Sequence, residues 1–192
     1  MHAIEKQLYR DHYHLQRLLE HLDQEVRNYE CGMASSVELP LILDTLDYIR
    51  FYPERWHHPM EDKIFDRIMA KRPPEAEFVN QVQLEHQQLA QLTRYMTQLF
   101  DAVANDCVVP VSELVRTTRE FIQRQRSHID RENEMVYPLM EKYLTEADWE
   151  ELEAEIALEQ DPLFDAPLKA DYQNLFMRVV DGNSKGGAQA LR

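Results

Sequence analysis

Six side chains of this sequence combine metal-ligating chemistry with helical spacing. His57-x-x-x-Glu61 and His128-x-x-x-Glu132 each set an imidazole and a carboxylate four positions apart. Residues so spaced lie one above the other on a helix face. His12 and His86 interrupt two further series of apolar residues that alternate three and four apart. Burying these imidazoles and carboxylates unpaired would cost several kcal/mol per charge. A bound cation removes that cost, and imidazole with carboxylate suits first-row metals, iron and manganese among them. Two carboxylates able to bridge point to a pair of ions.

Four long segments must position these groups. The seams read Ile4, Leu8, His12, Leu15, Leu19, Leu22, Val26; then Leu39, Leu43, Leu46, Pro53, His57, Glu61, Ile64, Ile68; then Val79, Val82, His86, Leu89, Thr93, Met96, Phe100, Val103; and Val111, Leu114, Thr118, Phe121, Gln125, His128, Glu132, Met135, Leu139. The predicted helices run from about 4 to 29, 37 to 70, 74 to 104 and 111 to 143. Ser35 and Ser36 are candidate N-caps, and Pro74 suits a first helical turn. Short breaks force antiparallel neighbours, so the expected fold is all-α: an up-down-up-down four-helix bundle. His12 and His86 lie roughly eight and twelve residues into their helices, and His57 and His128 roughly fourteen and fifteen before the ends of theirs. With alternating directions these depths agree, and the four histidines share one layer. Pro59 withdraws an amide from the Arg55 carbonyl, so the second helix should kink beside this layer.

Composition supports helices and narrows the function. The chain has 192 residues, 44% of them apolar, and only four glycines. A β-rich fold would need more turn glycines. A net charge of −14 argues against nucleic acid or an anionic membrane as partner. No apolar run is long enough to span a bilayer, and the charged start does not read as a signal peptide. Cys31 and Cys107 form no CxxC motif, consistent with a reduced, cytoplasmic protein. The expected organisation is a bundle over 1–145, a helical extension over 146–180 packed on it, and a disordered tail over 181–192. His2, His14 and His21 read as exposed, and Asp62 and Glu134 as outer-face charges that could instead accept from the ligands.

Two bundle arrangements can hold a metal pair. Ferritin-like carboxylate sites repeat Glu-x-x-His on two helices. Glu54-x-x-His57 supplies one copy, but Gln125 stands where the second needs glutamate, and the first seam offers none. The DHxxL of the first helix, HxxxE of the second, EH of the third and HxxxE followed by VYPLM of the fourth resemble the hemerythrin (HHE cation-binding) family.

The resemblance implies a non-heme diiron centre, oxo- or carboxylate-bridged. His12, His57, His86 and His128 would be terminal ligands, and Glu61 and Glu132 bridges. Hemerythrins take a further histidine four residues on in the third helix, where this chain has Ala90. His58, beside His57, is the candidate for the missing ligand. If it fills the usual open position, O2 binding becomes less reversible. Asn133 occupies the alternative one-residue-longer spacing and is a poorer ligand than Glu132. The implied function is binding or sensing of O2, or of a related small molecule such as NO or peroxide, without turnover. A diiron peroxidase or oxidase, and an iron-handling or repair protein, are the alternatives. A second copy of the chain is a candidate partner.

Overall fold

Each long helix is anchored by its apolar seam. In the computed structural model, which describes residues 1–32, 38–165 and 170–186, α1 spans Ala3–Glu30 and buries Ile4, Leu8, Leu15, Leu18, Leu19, Leu22 and Val26. The Glu5 carboxylate accepts the His2 amide and covers an otherwise open N-terminus. At the far end the chain leaves the helix through Gly32 at φ 69°, a left-handed conformation that glycine takes without cost. The expected caps Ser35 and Ser36 lie outside the described residues.

The second and fourth helices are not continuous. α2 covers Leu39–Phe51, a π-helical turn covers Pro53–His57, and α3 covers His58–Ala70. α4 runs Ala76–Ala104, starting just after Pro74 rather than with it. α5 runs Val111–Arg131, a second π turn covers Glu132–Val136, and α6 covers Tyr137–Tyr143. The kink expected at Pro59 is therefore a widened turn upstream of it, and the fourth helix has a counterpart before Pro138 that sequence reasoning missed. The cause is common to both. Pro59 and Pro138 cannot bond the carbonyl four residues back, and their rings crowd it. In each case the residue just before the proline bonds five residues back instead: His58 to the Pro53 carbonyl and Tyr137 to the Glu132 carbonyl. Such single-turn π bulges recur at functional sites.

α1 packs on α2 and α5, and α4 packs on α2, α3 and α5, closing a ring of helices. Beyond it, α7 (Glu146–Glu155) packs on α3, and α8 (Gln173–Gly186), entered by a 3₁₀ turn at Ala170–Tyr172, packs on α1 and α2. Thr145 starts α7 with a reciprocal cap: Asp148 accepts its amide at 2.9 Å and donates its own amide back at 3.3 Å. α8 continues past the expected helix end near Val180, and residues 187–192 lie outside the described part. Among the described residues there is no strand, and no helix is long and apolar enough to cross a membrane.

The core is split. One apolar cluster joins Ile4 and Leu8 to Ile64, Phe65, Val79, Val82, Met140 and Trp149. The other joins Leu15 to Leu22 with Ile42, Leu46, Leu89, Phe100, Phe121 and the extension residues Leu163 and Leu175. Between them lies a polar layer.

Candidate metal centre

The layer consists of buried His12, His57, His58, Glu61, His86, His128 and Glu132. All seven residues singled out from the sequence are brought together. Ligating atoms of His58, Glu61, His86 and His128 lie within 4.8 Å of one another, and so do those of His12, His57 and Glu61. Glu61 belongs to both groups. Its Oε1 is 3.4 Å from His57 Nε2 and 3.6 Å from His12 Nε2, while its Oε2 is 3.3 Å from His86 Nε2. Glu132 likewise spans both groups, with Oε2 3.2 Å from His12 Nε2 and Oε1 3.1 Å from both His86 and His128 Nε2. The π turn makes it possible for adjacent His57 and His58 both to face inward, their ring centroids 5.7 Å apart. His58 stacks on His86 at 4.3 Å and 7°. Ala90 on α4 supplies no ligating atom.

Each of four imidazoles is held from behind at Nδ1. His57 meets Asp11 at 3.1 Å, His12 meets Asn133 at 2.9 Å, His86 meets Asp62 at 3.0 Å and His128 meets Glu85 at 3.0 Å. Arg131 in turn pairs with Glu85 at 2.6 Å. These contacts fix ring orientation and raise the basicity of the inward nitrogen. Asp62 is thus an acceptor for a cluster histidine, whereas Glu134 is exposed. Sequence reasoning missed Asp11, Glu85 and the Asn133 contact. Their signal is adjacency, because every one of the four back-side acceptors is a sequence neighbour of another cluster residue.

Sequence reasoning also missed Tyr137. Its buried hydroxyl donates to Glu61 Oε1 and lies 3.1 Å from His12 Nε2. A π turn puts positions five apart on one face, which is how Tyr137 follows Glu132 into the layer. Of the other aromatic side chains on α1 and in or beside the first π turn, Tyr52 is buried against Asp11, while Tyr13 and Trp56 are exposed. His14 is partly buried, 3.0 Å from Asp161, and His21 and His2 are also partly buried, the latter stacked on Trp149 at 4.5 Å. The expectation that these three are exposed is corrected: residues 161–165 and α7 cover two of them, and at His21 burial and the Arg178 charge hold the imidazole near a pKa of about 4.

The electrostatics are those of a site built around positive charge. Burial opposes protonation of His12, but Glu132 and Glu61 outweigh it and raise the imidazole to about 9. Burial likewise opposes His57, which Glu61 and Asp11 raise to about 10. His86 and His128 are raised against burial by the same kind of carboxylate contact. Burial would lift Glu61 and Glu132, but the surrounding histidines hold both well below the carboxylate range. His58 differs: burial, then the neighbouring His86 charge, keep it neutral. Even so, the network is incomplete. His57 Nε2, His128 Nε2, Glu61 Oε2 and Glu132 Oε2 lie in ion-pair contact but are misaligned for a hydrogen bond, and buried His58 Nε2 makes none either. Native interiors rarely leave such atoms unmet unless an ion or water meets them. The donor set, nitrogen and carboxylate oxygen, fits a first-row metal.

Comparison with known families agrees. A family model of the hemerythrin HHE cation-binding domain matches residues 3–140. The chain belongs to the hemerythrin HHE family. Membership makes it a helical, metal-binding domain, and the matched region contains the whole of the polar layer. No curated protein matches the chain.

Proposed function

We propose that this hemerythrin-family chain is an up-down-up-down four-helix bundle holding two non-heme irons, and that it binds or senses O2 or a related small molecule such as NO or peroxide. His58, His86 and His128 would hold one iron and His12 and His57 the other, with Glu61 and Glu132 between them. The observation that carries this reading is the set of five buried nitrogen and oxygen atoms that make no hydrogen bond and are turned into one layer, with Glu61 common to both groups. When bound, a reduced iron pair supplies electrons and an open coordination position to a small oxidant.

The rest is the work of the chain. His58 completes three imidazoles on one side, so the shortage of ligands falls on the His12 and His57 side. The Tyr137 hydroxyl lies on that side and, once Glu61 turned its oxygens to iron, could redirect its proton from Glu61 to a small molecule bound there. The apolar clusters above and below the layer exclude bulk water. In this reading His58 takes the place of the missing third-helix histidine, and the open position stays on the other side.

The test is metal content with an optical spectrum. Protein purified without added metal is loaded with ferrous iron, reduced anaerobically and exposed to air. A pair of irons per chain, with charge-transfer bands that return on cycling, is the expected result. Bands that form once and persist favour sensing, and sustained consumption of peroxide with a reductant favours an enzyme. Failure to take up iron removes the reading.

A further inference from the structure

A row of three tyrosines leads from the centre into the C-terminal extension. Tyr52 and Tyr48 have ring centroids 5.9 Å apart, and Tyr48 and Tyr172 are again 5.9 Å apart. All three rings are buried. Each hydroxyl faces a different aspartate: Tyr52 meets Asp11 at 3.3 Å, Tyr48 donates to Asp161 at 2.9 Å, and Tyr172 donates to Asp47 at 2.8 Å. The inner end touches the centre, because the same Asp11 holds His57 Nδ1 at 3.1 Å. The outer end reaches solvent, because Asp47 is exposed.

Oxidising a phenol in an apolar interior requires somewhere for its proton to go, since the oxidised phenol is a strong acid. An isolated buried tyrosine has no such acceptor. Here every ring in the row has one, and the rings are close enough for successive electron transfer. Tyr95 and Tyr143 also donate to glutamates, so a carboxylate partner alone means little in so acidic a protein. What distinguishes the row is contiguity from His57 to the surface. Tyr137 is nearer the centre and meets Tyr9 edge-on at 5.0 Å, but its hydroxyl donates to Glu61, which the reading above assigns to iron, and not to a carboxylate outside the layer.

We propose that Tyr52, Tyr48 and Tyr172 conduct single electrons between the protein surface at Asp47 and the metal centre. The inference rests on the diiron reading above. In each hop one electron leaves a phenol for its inner neighbour, and the hydroxyl proton crosses to the paired aspartate. Re-reduction from the outer neighbour returns the proton. The oxidant is hydrogen peroxide at the centre, each molecule taking two electrons through the row and two protons from solution, which the reductant's own oxidation releases there, to give two waters. The electron lost from Tyr172 is replaced by a soluble enediol reductant such as ascorbate. The row gives the extension a role, since Tyr172 and Asp161 both belong to it.

The experiment is freeze-quench electron paramagnetic resonance on iron-loaded protein treated with excess hydrogen peroxide, with ring-deuterated tyrosine to assign the signal. Iron content and optical bands are measured on the same samples. The expected result is a tyrosyl radical in the wild type that ascorbate quenches. The signal is lost in Tyr52→Phe, and in Tyr172→Phe it persists but decays more slowly with ascorbate. Tyr137→Phe leaves it in place. Normal iron and bands with no radical, or a radical that survives Tyr52→Phe and disappears in Tyr137→Phe, would overturn the conduit and leave the row as a dock for the extension. Absence of bound iron overturns the diiron reading and the conduit with it.

Discussion

The two sides of the polar layer are unequal. One side gathers three imidazoles, from His58, His86 and His128, and the other only two, from His12 and His57, with the Tyr137 hydroxyl beside them. The inequality originates in where the prolines fall. Both interrupted helices carry His-x-x-x-Glu, yet in the second the π turn precedes the pair and in the fourth it follows. Upstream placement turns two consecutive histidines inward. On a regular helix, neighbours point about 100° apart and only one could face the layer. Downstream placement brings in a tyrosine instead. One local device thus adds an imidazole to one side and a phenol hydroxyl to the other.

The strongest way to break this comparison is to remove what the sides share. On the two-iron reading, Glu61→Ala should abolish uptake of both irons, since Glu61 belongs to both groups. In metal-free protein it takes one of two carboxylates from protonated His12 and His57, which keep Glu132 and Asp11. The loss should therefore stay below about 3–5 kcal/mol, the cost of a stranded buried charge. Chemical denaturation reads the stability, and elemental analysis the iron. Retention of one iron would show that the sides load independently.

A smaller effect separates the sides. His58→Ala should remove one iron, on the three-imidazole side, and barely destabilise the metal-free protein. His58 is held neutral by burial, so no charge loses its partner. His57→Ala should remove the other iron and also destabilise metal-free protein, because Asp11 and Glu61 each lose a positive partner. Iron stoichiometry and thermal melts of the two variants test this. Equal destabilisation would mean that the two imidazoles do not differ in charge.

Most of the layer was legible in the sequence, because an apolar seam has little use for imidazoles and carboxylates at matched depth unless they meet an ion there. His58 was legible only through the gap at Ala90. The back-side acceptors were not, although their residues flank the ligands. Asp11 precedes His12 but holds His57, and Glu85 precedes His86 but holds His128. Asp62 follows Glu61 but holds His86, and Asn133 follows Glu132 but holds His12. Helical periodicity assigns such neighbours to another face of their own helix. Only interhelical packing shows that this face looks at the next ligand. The π turns were half legible: proline announces a break, but not that the backbone will answer with a five-residue bond.

A weaker perturbation is pH. In metal-free protein His12 and His57 have folded pKa values of about 9 and about 10, above the ordinary 6.5. A raised histidine contributes stability that is fully present below the unfolded value and is lost as pH rises through the folded one. Metal-free protein should therefore lose thermal stability between pH values near 6.5 and 10, and iron-loaded protein should not, since metal ligation displaces these protons. Loading should release protons into a weakly buffered solution, and His58 should contribute none. His21 works in the opposite direction: depressed to about 4, it should cost stability in both forms as pH falls below 6.5. Melting curves of both forms across this range check the signs.

The mildest change tests whether the two-imidazole side is the open one. Tyr137→Phe keeps the ring stacked on His12 and deletes only the hydroxyl. Glu61 loses one donor and His12 one contact, which should cost about 1–3 kcal/mol in metal-free protein. Iron content should be unchanged, because Tyr137 is not needed as a ligand. The informative readout is binding of a small anion such as azide to the oxidised, loaded protein, followed by its charge-transfer band. If the open position lies beside Tyr137, affinity should fall in Tyr137→Phe and stay near wild type in variants of Glu85, which backs the opposite side. The reverse ranking would place the open position among the three imidazoles and reassign His58 to the ring-stacking contact with His86 alone.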